Sequence, residues 1–276
     1  EAYVAVPSMG AVLHTLNIRL FPEQIEFVAY EAEDRVVIAD LSLAPILAPV
    51  LPKMETVHTV VAVGAGDLEP FQRSGKNVVR YHDITAAESD QFDWPAIDEK
   101  SAAAMCYTSG TTGHPKGVVY GHRSTYLHST AVCSGNGMGL SFSDKAFPIV
   151  PMFHANAWGL PYAALMAGAD ILLPDRHMDA KTLVHMIETQ RPTVAGAVPT
   201  IWNDVMNYLE REPGHDISSL RLVACGGSAV PMSLMKTFEE RHGVQIRQLW
   251  GMTETSPTAT LAWPPPGTPT ARSWEI

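Results

Sequence analysis

The sequence predicts an α/β fold with mostly parallel sheets flanked by helices, and three observations carry that prediction. From residue 100 onward, short β-branched apolar runs alternate with amphipathic stretches, the pattern of strand and helix units in a sheet. The runs are apolar throughout and lack an in–out alternation, as expected of strands covered on both faces. With 276 residues, 46% hydrophobic and 17% charged, the chain can bury one large core or two smaller ones.

In order along the chain, residues 22–33 read as a helix that turns Ile25, Val28, Ala29 and Ala32 inward, and residues 36–39 read as a strand. Pro45, Pro49 and Pro52 break up residues 41–54 into loop or short helical turns, and a strand follows over 57–63. The later strands are expected at 104–108, 146–150, 170–173, 193–197, 220–225 and 244–249. Between them, residues 180–189 place Leu183, Val184 and Ile187 on one helical face, and residues 201–211 do so with Val205, Met206 and Leu209. Pro231 suits the first turn of a helix running to residue 241, which Gly243 would cap. Pro264-Pro265-Pro266 marks a loop, and no order signal follows Trp263. The start at Glu1 lacks methionine and a basic leader, so the chain reads as a piece cut short at both ends.

Composition excludes several function classes. Nineteen basic residues against 29 acidic give a formal charge of −10, which repels polyanions and argues against nucleic acid as a partner. A few N–H groups and a cation in a cleft still allow a small anionic ligand. The odd, widely spaced Cys106, Cys133 and Cys225 speak against a disulfide framework and for a reducing, cytoplasmic compartment with structural cysteines. No stretch supplies the about 20 apolar residues of a membrane span. The eleven histidines form neither HExxH nor a zinc-type Cys/His cluster, and His122 and His128 are expected at the surface. Gly135, Gly137 and Gly139 mimic a dinucleotide fingerprint but follow a helical stretch where that motif needs a strand, so they read as a loop.

The chemistry gathers in four segments. Tyr107-Thr108-Ser109-Gly110-Thr111-Thr112-Gly113-His114-Pro115-Lys116-Gly117 is a hydroxyl- and glycine-rich loop directly after an apolar strand. Its glycines let the backbone approach a ligand, its hydroxyls and N–H groups are donors for phosphate oxygens, and Lys116 adds a cation. It is no Walker loop, because Pro115 precedes the lysine and Gly117 follows it. Gln248-Leu249-Trp250-Gly251-Met252-Thr253-Glu254-Thr255 closes another strand, where α/β proteins place ligands, and Glu254 offers a hard carboxylate to Mg²⁺. Gly226-Gly227-Ser228-Ala229-Val230-Pro231 joins a strand to a helix start, with small residues that let a flat base lie against the backbone. Pro151-Met152-Phe153-His154-Ala155-Asn156-Ala157-Trp158 sets a histidine after a strand.

The first of these resembles the signature loop of the adenylate-forming superfamily, which includes acyl-CoA synthetases, luciferases and peptide-synthetase adenylation domains. That resemblance implies that Thr108, Ser109, Gly110, Thr111, Thr112, Gly113 and Lys116 hold the ATP phosphates. The second segment is similar to the family's aromatic-Gly-x-Thr-Glu motif, with Trp250 where the family usually has Tyr. It implies a metal held by Glu254 with Thr108, a phosphate contact from Thr253, and Leu249, Trp250 and Gly251 beside the adenine. A π-face survives the change to Trp, and the phenol hydroxyl is lost. The third resembles the adenine-binding Gly-Gly-x-Ala segment and implies Gly227, Ser228 and Ala229. The fourth resembles the fatty acyl-CoA synthetase version of a family motif, which implies His154 near the carboxylate and phosphates and Trp158 as a gate to an acyl tunnel. Ala197-Val198-Pro199-Thr200-Ile201-Trp202 completes the likeness, with Trp202 lining the acyl pocket.

The resemblance thus implies a fragment of the large N-terminal domain of a fatty-acid–CoA ligase. Residues 1–100 would be an incomplete first part and 101–276 the ATP-binding core, with the C-terminal domain absent. ATP, CoA and a fatty acid would be the substrates and Mg²⁺ the metal, with Lys116, His154 and Glu254 as the catalytic set. The ribose-gripping Thr-Gly-Asp motif and the adenylation lysine of the small domain are missing from the sequence. Two other readings stay open: an aryl-CoA ligase or peptide-synthetase domain, and an inactive nucleotide-binding fragment. Acyl chain length and oligomeric state are not written in these motifs.

Overall fold

A computed structural model describes residues 1–108 and 115–265. They fall into two units, residues 1–98 with 102–119, and residues 99–101 with 120 onward. In the first unit the order is α1 (Ala2–Ser8), β1 (Leu13–His14), α2 (Pro22–Glu31), β2 (Val36–Asp40), α3 (Ala44–Leu47), β3 (Thr59–Val63), α4 (Glu69–Gln72), β4 (Asn77–Arg80), α5 (Tyr81–Thr85), β5 (Ala102–Tyr107) and β6 (Gly117–Gly121). The last of these runs on into the second unit.

Pro22 begins α2 with its fixed φ, and the Gln24 side chain accepts the Phe21 N–H at 3.1 Å. That helix buries Ile25 and Ala29 against Val37, Ala39 and Val60 of the parallel sheet β2-β3-β4. The proline-spaced segment folds as α3 between two short 3₁₀ turns, Leu41–Leu43 and Leu51–Lys53, whose Leu51 is fully buried. A second sheet sets β5 between β1, which it pairs in parallel, and β6.

The second unit continues with α6 (His122–Cys133), β7 (Lys145–Pro148), the single-turn α7 (Ala155–Trp158), α8 (Leu160–Ala167), β8 (Asp170–Ile171), α9 (Ala180–Gln190), β9 (Val194–Ala197), α10 (Pro199–Arg211), β10 (Leu222–Gly226), α11 (Met232–His242), β11 (Ile246–Gly251) and β12 (Thr258–Leu261). Its sheet has the order β12-β11-β10-β9-β7-β8. The pairs are parallel except β11 with β12. Alternate residues of each strand face opposite ways, so Phe147, Ala195, Val223 and Ile246 meet α9, α10 and α11. Ala146, Val194, Leu222 and Leu249 instead meet α6 and α8 on the other face. The sheet is covered on both faces, which is why its strands read as unbroken apolar runs.

Several expectations change. The strand β12 was absent from the sequence reading, and it pairs antiparallel at the sheet edge with two exposed residues. The short strand β6 was also absent. His128, expected at the surface, is 8% exposed because α6 turns His128 and Ser129 inward while Tyr126 and Leu127 face solvent.

At the amino ends of the strands an ionic cluster ties the unit together. Arg221 Nε and Nη2 donate to the two oxygens of Asp144 at 2.9 Å each, and Thr193 Oγ1 donates at 2.7 Å. Burial pushes the Asp144 carboxyl up, but the bonds from Arg221, Thr193 and the Ser141 N–H outweigh it and hold the group at about 2.

Candidate active site

Strands β7, β9, β10 and β11 are neighbours and parallel, so their carboxyl ends lie along one edge of the sheet. The residues that follow them are the His154 segment, Val198, the Gly227-Ser228-Ala229 turn and the Trp250-to-Glu254 segment. Parallel α/β sheets bind ligands outside this edge.

After β10, Gly227, Ser228 and Ala229 are exposed, and Gly227 has φ +84°, open to glycine at little cost. A side chain there would come within 3.2 Å of Val198 Cγ1, at the end of the neighbouring strand. The Val230 N–H donates to Gln248 Oε1 at 3.1 Å, joining this turn to β11.

At the end of β11, Trp250 is 53% exposed, with its indole available to a planar partner. Leu249 is 5% exposed and packs its side chain into the sheet core, so only its backbone reaches the edge. Glu254 lies in a 3₁₀ turn, Thr253–Thr255, with its side chain exposed. The turn is braced within itself, since the Met252 N–H donates to Thr255 Oγ1 at 2.8 Å and to the Pro257 carbonyl at 3.1 Å. It is braced from below by the Tyr120 hydroxyl, which donates to the Thr253 carbonyl at 2.7 Å. Sequence reasoning missed Tyr120, since its partner is 133 positions away and no motif includes it.

His154 keeps an exposed edge, while atoms packed around the ring desolvate it and lower its pKa below the usual imidazole value. The neutral imidazole is therefore the resting form at pH 7. Directly after it the chain takes an unusual turn: Ala155, Asn156, Ala157, Trp158 and Gly159 all have φ between 47° and 69°. All five are buried, and Trp158, at 5% exposure, packs beside Leu160 on the α6–α8 face. His128 lies against Gly159, where an added Cβ would sit 2.6 Å from its ring.

Trp202, expected to line an acyl pocket with Trp158, lies instead on the opposite face of the sheet. It is fully buried and packs edge to face on Phe238 at 5.8 Å, so it offers a ligand no surface. The cause is the connection: α10 follows β9 onto the face that α9 and α11 cover, whereas Trp158 packs on the α6–α8 face.

In the first unit, the Thr108 N–H donates to the Lys116 carbonyl at 3.0 Å, which brings those two residues side by side, and the Lys116 side chain is exposed. Gly117 is crowded by the Tyr107 ring, 3.1 Å from where a Cβ would be. Ser109, Gly110, Thr111, Thr112 and Gly113 lie outside the described residues.

Among the described residues no group of three or more His, Cys, Asp or Glu could cage a metal. The donor set nonetheless suits Mg²⁺, which takes one or two carboxylates and completes its shell with water and substrate phosphates, and exposed Glu254 supplies such a carboxylate. Cys225 is buried beneath the β10 turn, and that burial pushes its thiol up to about 12, leaving it inert. No helix among the described residues is long and apolar enough to cross a membrane.

Comparison with known proteins bears on this arrangement. A 3-methylmercaptopropionyl-CoA ligase from Ruegeria pomeroyi is 41% identical over 264 residues, 96% of this chain and 49% of that protein. A long-chain-fatty-acid–CoA ligase from Thermus thermophilus is 43% identical over 257 residues, 93% of this chain and 45% of that protein. The chain thus spans about half the length of the curated relatives it matches. The crystal structure of the anthranilate CoA ligase AuaEII in complex with anthranoyl-AMP superposes with a TM-score of 0.81 at 24% identity, covering 92% of this chain and 48% of that one. That likeness shows the fold. Residues 1–273 match the model of the AMP-binding enzyme family, and the chain belongs to that family.

Proposed function

We propose that the full-length protein joins a fatty acid to CoA at the expense of ATP, through an acyl-adenylate. One observation carries this reading. The Gly227-to-Ala229 turn and the Trp250-to-Glu254 segment close adjacent parallel strands, offering a base-sized bare backbone, an exposed indole and a carboxylate along one sheet edge. The three free cysteines support a reducing, cytoplasmic setting.

In the first half-reaction a carboxylate oxygen bonds to the α-phosphorus as the bond to the bridging oxygen breaks, and pyrophosphate leaves. In the second, the CoA sulfur bonds to the acyl carbon and AMP leaves. The protein's part is position and charge. Gly227, Ser228 and Ala229 receive the adenine with Trp250 beside it. The Lys116 ammonium and the hydroxyls of Thr108 and Thr253 take up charge on the departing pyrophosphate. Neutral His154 hydrogen-bonds the incoming carboxylate without adding a competing charge. Glu254, with Thr108, would hold Mg²⁺, which when bound offsets negative charge on the phosphate oxygens.

Glu254→Ala in the full-length protein is expected to reduce carboxylate-dependent ATP–pyrophosphate exchange by about a thousandfold, the scale of losing a charge-stabilising group. Isothermal titration with ATP and Mg²⁺ should show affinity lost in Lys116→Ala. Undiminished exchange in the first variant and unchanged affinity in the second would remove the assignment. A second reading, a short thioether carboxylate as substrate, is favoured by the relative named for 3-methylmercaptopropionyl-CoA. Relative kcat/KM on a panel of fatty acids and 3-methylmercaptopropionate decides between the two.

A further inference from the structure

We infer that the Tyr120 hydroxyl positions the Glu254 carboxylate, acting through the backbone between them; the inference rests on the reading of Glu254 as the metal-holding residue. Tyr120 is 4% exposed on β6, four positions after Lys116 in the sequence, and its hydroxyl donates to the Thr253 carbonyl at 2.7 Å. That carbonyl and the Glu254 N–H belong to one planar peptide unit, so fixing the oxygen fixes the plane from which the Glu254 side chain departs.

Within the turn only the Ser256 N–H reaches the same carbonyl, at a long 3.5 Å, so the 2.7 Å Tyr120 bond is the principal hold on that peptide. The Met252 N–H, Thr255 Oγ1 and Pro257 carbonyl are bonded to one another around it. The Thr255 N–H donates to the Met252 carbonyl at 3.0 Å. Without the Tyr120 bond the 253–254 peptide keeps only that long bond and gains freedom to rotate between flanking residues that stay in place. The exposed carboxylate then samples several directions, and a cation that demands near-octahedral oxygen geometry is sensitive to that spread. A phenol suits the role, because its rigid ring is anchored in the core and carries the donor at its tip.

Tyr120→Phe removes that donor and keeps the ring, and the full-length protein allows two readouts. Without nucleotide or metal, hydrogen–deuterium exchange of the 252–257 amides should quicken by about tenfold, while β10 and the rest of β11 keep their protection. With ATP present, the affinity for Mn²⁺ followed by electron paramagnetic resonance should fall about fivefold, the typical net worth of one hydrogen bond. Both changes together support the inference. Unchanged exchange, loosening that spreads equally through β10 and β11, or quickened exchange with unaltered Mn²⁺ affinity each overturns it. Glu254→Gln is the reference: if it binds Mn²⁺ as tightly as the unaltered protein, the metal reading of Glu254 falls and the inference with it. Failure of Tyr120→Phe alone leaves that reading standing.

Discussion

Gly159 closes a run of left-handed residues and has no room for a side chain. Its φ is +69°, and a Cβ would lie 2.6 Å from both Cε1 and Nδ1 of the buried His128 ring. The four preceding residues bear the same handedness with side chains attached, at about 1–2 kcal/mol each. Burial of Ala155, Asn156, Ala157 and Trp158 in the α6–α8 face offsets that strain. The turn is closed by the Gly159 N–H donating to the Asn156 carbonyl at 3.0 Å and is packed tightly on all sides, so a small added volume at its end should be costly. Gly159→Ala is expected to lose about 2–4 kcal/mol in urea unfolding, part from the left-handed φ and part from the clash. A second change, His128→Ala, should return the clash part and leave the φ part. Strict additivity of the two variants would show that the ring and the glycine do not press on one another.

At the scale of elements, β10 and β11 leave no room for a side chain on Gly226 at the edge that carries the site. Gly226 pairs with Leu249, and a Cβ on Gly226 would lie 2.5 Å from the Leu249 carbonyl oxygen. Gly226→Ala must part the two strands there, moving the Gly227 turn away from Trp250. We expect about 1–3 kcal/mol of lost stability and a larger proportional loss of ATP affinity, read by calorimetry on a sample whose melting shows it folded. Unaltered affinity would mean that the spacing of these strands does not set the site. The sequence told strand from helix here because both faces of the sheet are covered, and it placed the Gly226-Gly227 turn between a strand and a helix start. Which face a helix covers is not written in that pattern, and the resemblance that put Trp158 and Trp202 at the acyl site carried no such information. Edge strand β12, with Ala259 and Thr260 exposed, lacks the continuous apolarity that marks its neighbours. In α6 Tyr126 and Leu127 face outward and His128 inward, so residue type is a poor guide to which side of this helix is buried. Tyr120 was invisible because hydrogen bonds between distant segments leave no trace in spacing.

For the molecule as a whole, a formal charge of −10 at pH 7 falls as carboxylates take up protons, which lessens self-repulsion on mild acidification. Two buried groups in the second unit act the other way. His128 is held at about 4 by desolvation, from an ordinary value of 6.5. Its folded pKa is depressed, so the unfolded chain binds its proton first, and the stability present above 6.5 is lost as pH falls to 4. The shift corresponds to roughly 3 kcal/mol. Asp144 is held at about 2 from 3.8, so its contribution, roughly 2 kcal/mol by the same conversion, is intact above 3.8 and disappears as pH falls through 2. The two windows meet near pH 4 without overlapping, which makes them separable by variants. Between pH 6.5 and 4, the stability difference between the unaltered protein and His128→Gln should shrink by roughly 3 kcal/mol, whichever is more stable at pH 7. Over that same range the difference from Asp144→Asn should stay level, and it should shrink by roughly 2 kcal/mol only below pH 4. Urea midpoints at half-unit pH steps would test this. Parallel curves for the unaltered protein and His128→Gln from pH 6.5 to 4 would show that the ring admits a proton without cost, contrary to its burial against Gly159.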